Sequence, residues 1–89
     1  MDLRAVENYL IKLKKISKYN LSFQVTSDTV DLRLETYAFN KRLGVMKRLT
    51  SKDLDNFNLD YRILLLEYLA AIIAEIDKEV DHLDWVYSR

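Results

Sequence analysis

The spacing of apolar and polar positions changes period twice along the chain. Leu3, Val6, Leu10, Leu13 and Ile16 recur three and four residues apart. That spacing puts them on one side of a 3.6-residue turn and predicts an amphipathic helix over 2–19. Asp2 suits its N-cap, because a carboxylate there accepts an orphan amide proton and meets the positive end of the helix dipole. Lys12, Lys14, Lys15 and Lys18 crowd the other end, where cations are favoured. Asn20 predicts the stop, since Asn tolerates the left-handed backbone of a helix C-terminus.

From Leu21 the period is two. Leu21, Phe23 and Val25 alternate with Ser22, Gln24 and Thr26, and Val30, Leu32 and Leu34 with Asp31, Arg33 and Glu35. Two half-buried strands follow, over 21–26 and 29–39, with a turn at Ser27-Asp28. Leu43, Val45 and Leu49 alternate only partly and predict a third strand over 43–50, after a turn at Asn40-Lys41-Arg42. Gly44 inside it predicts a bulge or a close backbone approach. Connections this short require antiparallel pairing.

A bridge over 50–57 holds one helical turn opened by Thr50 or Ser51, and one long helix is then predicted over 59–87, capped by Asn58 or Asp60. Leu66, Leu69, Ile73, Ile76, Val80, Leu83 and Tyr87 are spaced 3-4-3-4-3-4, which is the seam of a coiled coil. The helix would be about 42 Å long at its regular rise, whereas a globule of this length is roughly 31 Å across. Its end should therefore outrun the domain, carrying Val80, Leu83, Trp85, Val86 and Tyr87. Burying such a side chain contributes about 1.5–3 kcal/mol. A second copy docked in a homodimer through Leu69, Ile73, Ile76, Val80, Leu83 and Tyr87 would supply that burial. The competing expectation is that the first helix covers the seam within one chain. The predicted fold is a single α+β domain over 1–89, in the order α-β-β-β-α. Its three-stranded antiparallel sheet has helices packed on one face.

Composition narrows the function classes. An apolar share of 49% with no net charge excludes a disordered chain. The absence of cysteine excludes disulfides and thiolate sites, and a lone histidine, His82, excludes a multi-histidine metal site within one chain. With no proline and one glycine there is no glycine-rich phosphate loop. The longest apolar stretch, Ile63 to Ile76, contains Glu67 and Glu75 and falls short of the ~20 residues of a membrane span. Charges interrupt residues 1–16, so no signal peptide is expected there, and the expected compartment is the cytoplasm, with no membrane contact.

Charge is segregated. Residues 1–50 hold ten Lys/Arg and five Asp/Glu, a net of +5; residues 51–89 hold four and nine, a net of −5. Mutual neutralisation of the two halves is the plain expectation; two separate working surfaces are the sharper one. Glu79 and His82 share the Glu-x-x-His spacing of di-iron carboxylate bundles, but such a site needs two pairs and further glutamates. Asp53, Asp55 and Asp60 cluster where helix capping accounts for them. No acid–base or nucleophile constellation stands out, so no enzyme activity, cofactor or metal is expected.

Two binding readings remain. Tyr37, Phe39, Arg42, Met46 and Arg48 lie near the second hairpin and include residue types enriched at protein-binding hot spots. They cannot all face the core, because Tyr37 and Phe39 end a strand whose inward positions are already apolar. This favours a non-enzymatic protein–protein interaction module, working by covering a larger partner's surface. In size and element order it is similar to small inhibitors from phages and mobile elements that block host or defence proteins. The alternative is nucleic-acid binding through Lys12, Lys15, Lys41, Arg42, Lys47 and Arg48, with Tyr19, Tyr37 and Phe39 as stacking groups. The element order resembles double-stranded-RNA-binding domains. The acidic start of the last helix departs from their basic one and would repel phosphate.

Overall fold

A computed structural model describes residues 3–56 and 60–88. The chain folds as α1 (Leu3–Ile16), β1 (Asn20–Val25), β2 (Thr29–Ala38), β3 (Lys41–Thr50), α2 (Ser51–Asn56) and α3 (Tyr61–Tyr87). The strands form one open antiparallel sheet in the order β1-β2-β3. This is the α+β arrangement that the alternating periods predicted. Asp2 and Asn58, proposed as helix caps, lie outside the described residues, as does the side chain of Asp55.

The inward side chains of the strands are those the alternation selected. Leu21, Val30, Leu32, Leu34 and Leu49 are buried, together with Val6, Leu10 and Leu13 of α1, Leu54 of α2, and Leu64, Leu65, Leu69, Ile72 and Ile76 of α3. The helices lie on one face, α1 beside β1 and α3 across β2 and β3. The first turn is closed by Thr26, whose Oγ1 accepts the Thr29 amide at 3.0 Å and the Asp28 amide at 3.3 Å. Thr50 and Asp53 cap α2 reciprocally. The Asp53 carboxylate accepts the Thr50 amide at 2.9 Å, and Thr50 Oγ1 accepts the Asp53 amide. Asp60 caps α3 by accepting the Arg62 amide at 3.0 Å.

Three expectations are corrected. α1 ends at Ile16 and Asn20 opens β1, so Asn20 is not the helix stop. The second turn is Phe39-Asn40, one residue earlier than expected, because pairing runs on to Ala38 and Lys41. Both turn residues have positive φ, 53° and 61°, as a two-residue hairpin needs if its twist is to match the strands. Gly44 marks neither a bulge nor a close approach. Register is continuous from Thr29–Thr50 to Ala38–Lys41, and a Cβ at Gly44 would sit 3.7 Å from its nearest neighbour, an ordinary contact.

The expected overhang of α3 is corrected as well. The fold is itself elongated, 49 × 20 × 20 Å. β2 and β3 are ten residues each, whereas β1 is six and pairs only with Val30–Glu35. The hairpin therefore extends past β1 and accompanies the second half of α3, so the helix does not outrun the sheet. At the far end Phe39 stacks on Tyr87, with ring centroids 5.2 Å apart and planes 15° from parallel.

Candidate interaction surfaces

The sheet carries helices on one face, and among the described residues nothing covers the other. Along β2 and β3 this outer face presents Asp31, Arg33, Glu35 and Tyr37, with Arg42, Gly44, Met46 and Arg48 across from them. Arg48 holds Asp31 in a two-point contact at 2.7 and 3.1 Å. Arg42 Nη2 reaches both oxygens of Glu35 at 2.8 Å. The guanidinium of Arg48 holds the Asp31 carboxyl below its usual range. Tyr37, 74% exposed, and Met46 stand among these pairs in water. Of the five residues expected to bind a partner, the fold gathers Tyr37, Arg42, Met46 and Arg48 on this face. Phe39 goes elsewhere: from the hairpin tip it turns onto the end of α3.

That end collects aromatic side chains. Trp85 and Tyr87 are each 55% exposed, and Phe39 and Val86 are also exposed. Lys41 Nζ lies 5.9 Å from the centre of the Tyr87 ring, within cation–π range. The His82 ring lies 6.3 Å from that of Trp85, 23° from parallel. Tyr37 is two residues from the tip, so Tyr37, Phe39, Trp85 and Tyr87 belong to one end of a long, narrow molecule. The spacing of α3 showed that Trp85 and Tyr87 would be there. It held no signal that Phe39 would join them, since that depends on the turn falling one residue early.

The residues expected to form a dimer seam divide between the core and the surface. Leu69, Ile76 and Leu83 are buried within the chain itself, and Ile73 and Val80 pack partly against its core. Tyr87 and Leu66 are exposed, Tyr87 in its stack on Phe39. The exposed line on the first half of α3 is instead Ile63, Leu66 and Ala70. Beside it a groove of about 270 Å³ opens between the end of α1 and α3, lined by Leu13, Ile16, Ser17, Lys18, Leu66, Leu69, Ala70 and Ile73. A larger, more polar cleft of about 560 Å³ runs between Arg42–Val45 at the free edge of β3 and Glu75, Ile76, Lys78 and Glu79 of α3.

The basic residues named for nucleic acid do not form one patch. Lys12 and Lys15 are exposed on α1 at the β1 side, while Lys41, Arg42, Lys47 and Arg48 lie on β3 at the other edge. Arg42 and Arg48 are engaged by Glu35 and Asp31, and Lys47 Nζ lies 3.5 Å from Glu75. Tyr19 donates its hydroxyl to Asp77, which also accepts from Lys18 at 2.8 Å. These bonds raise the pKa of Lys18 and Tyr19 and hold Asp77 below its usual range. Lys18–Asp77 and Lys47–Glu75 thus join the basic half of the chain to the acidic half.

Asp53 and Asp60 act as caps, and Asp60 also pairs with the Arg62 guanidinium. Among the described residues, Glu79 and His82 belong to no group of three or more side chains able to hold a metal ion. No described helix is long and apolar enough to cross a membrane. No family model, curated protein or solved structure matches this chain.

Proposed function

We propose that the protein is a non-enzymatic protein-binding module that acts by occupancy, covering the working surface of a larger partner. The observation that carries this reading is the set of exposed aromatics at the hairpin end, Tyr37, Phe39, Trp85 and Tyr87, of which Phe39 and Tyr87 stack on each other. Aromatic side chains bury much area for few lost rotamers, and Tyr and Trp also carry a polar tip. This is why they concentrate at binding hot spots. Phe39 strengthens the reading: a bulky residue at φ 53° is strained, and the strain presents its ring beside Tyr87. The open sheet face continues the surface with Tyr37, Met46 and arginines already held in place by Asp31 and Glu35. The role suits a small inhibitor or adaptor of a host or defence protein, an analogy of size and element order.

The test compares the wild-type chain with a Trp85→Ala/Tyr87→Ala variant as baits in a lysate of the cells that make it. One protein recovered in stoichiometric amount by the wild type and lost by the variant is the expected result. Equal recovery by both baits, or none by either, sinks the proposal. Titration with duplex DNA and RNA decides the competing reading. Binding that weakens steeply with salt, and disappears when Lys41, Arg42, Lys47 and Arg48 become Glu, would replace the protein-binding assignment.

A further inference from the structure

The face formed by α1 and α3 lies away from the hairpin end and has a different character. Ile63, Leu66, Ala70 and Ile73 follow one another at spacings of three, four and three along α3, the spacing of a helix that packs against another helix. Ile63, Leu66 and Ala70 are exposed although the same helix buries six other apolar side chains. Ala70 and Ala74 are small enough to let a second helix approach closely. The groove beside this line is almost wholly apolar, and Ile16 stands at its lip with 76% of its surface in water. The Oγ of Ser17, also in the groove wall, is shielded from water and has no hydrogen-bond partner.

We infer that a second copy of this chain covers this face, with α1 of each copy lying over α3 of the other. Charge selects that occupant. α1 and α3 run in the same sense, since Tyr9 in the middle of α1 meets Tyr61 at the start of α3, and Lys18, just past the end of α1, meets Asp77 further along α3. Lys18 and Asp77 pair with each other across the top of the groove; the exposed charges that remain beside the face are Lys12 and Lys15 on α1, a basic rim, and Glu67 and Asp81 on α3, an acidic one. A partner of one sign is repelled by one rim. A second copy turned by a two-fold axis along the helices brings each basic rim to the other's acidic rim. It also places a knob, Ile16, against a groove, and does so twice.

The free edge of β3 offers no such fit to a second copy. Antiparallel pairing of two β3 strands centred between Gly44 and Val45 would set Lys41 against Arg48 of the other copy and Arg42 against Lys47, like charge on like.

Sedimentation equilibrium of the full chain at micromolar concentration is expected to give twice 10.6 kDa. Ala70→Glu, at an exposed helical position, should give the single-chain mass with unchanged far-UV circular dichroism. Should that variant lose helicity, Ile16→Glu on the other helix gives the same readout. The orientation is tested by charge exchange. Lys12→Glu/Lys15→Glu and Glu67→Lys/Asp81→Lys should each weaken self-association by about tenfold, and mixing the two should restore it as a mixed dimer. A wild-type chain that stays single, a folded variant with Glu at 70 or 16 that still pairs, or charge-exchanged chains that fail to rescue one another would overturn the inference. The Trp85→Ala/Tyr87→Ala variant should still pair, which separates this face from the hairpin end.

Discussion

Phe39 sits in a left-handed conformation that costs an ordinary L-residue about 1–2 kcal/mol. Asn40, beside it, tolerates the same region well. Two things offset the strain at Phe39. The register of two ten-residue strands allows only a two-residue loop, and the ring gains a stacked partner in Tyr87. Phe39→Asn should therefore relieve backbone strain while losing the stack. In a Tyr87→Ala background, where no stack remains to lose, it should stabilise the fold more than it does in the wild type. The difference, read from urea unfolding of the four chains, should be about 0.5–1.5 kcal/mol. Equal effects in the two backgrounds would mean that the stack adds nothing to the tip.

The long helix is one element with two environments. Its first half crosses the sheet and buries Leu64, Leu65, Leu69, Ile72 and Ile76. Its second half follows the extended hairpin, and there Leu83 is still buried while Val86 is exposed. Leu83→Ala should cost about 2 kcal/mol or more, as truncation inside a packed site does. Val86→Ala should lie within about 0.5 kcal/mol of the wild type, as an exposed substitution does. Similar small losses for both would show that the hairpin does not cover the end of α3. The seam spacing was visible in the sequence. Which side of it the sheet would take was not, because Leu66, Leu69, Ile73 and Ile76 satisfy a coiled-coil pattern and a sheet-packing pattern equally well.

Across the whole molecule, hydrogen bonds and ion pairs to four aspartates set the response to pH. Asp31, Asp53, Asp60 and Asp77 are all held below their usual range by hydrogen bonds, from Arg48, Thr50, Arg62 and the Lys18–Tyr19 pair respectively. A lowered folded pKa contributes stability that is fully present above the unfolded value and lost as pH falls through the folded one. Lys18 and Tyr19 are raised, so what they contribute is present below their unfolded values and lost as pH rises through the folded ones. Stability should thus be level from about pH 5 to pH 9, with an acid limb below about 4 and an alkaline limb above about 10. Thermal unfolding across that range checks it, and Asp77→Asn should shrink both limbs. A decline already present between pH 7 and pH 5 would implicate a group outside these pairs.

The amino-acid sequence by itself determined the element order, the inward face of each strand and the segregation of charge. Each depends on the period of side chains along a local backbone, and that period is written directly in the order of residues. Only the tertiary structure decided how far the hairpin would extend past β1, and hence that Phe39 would meet Tyr87. It also decided that Leu69, Ile76 and Leu83 would be covered within one chain, leaving Ile63, Leu66 and Ala70 in water. Those outcomes turn on register and on which face of a nearly all-apolar helix meets the sheet. Several faces of such a helix are almost equally greasy, so the choice among them falls to the three-dimensional fit of the whole core.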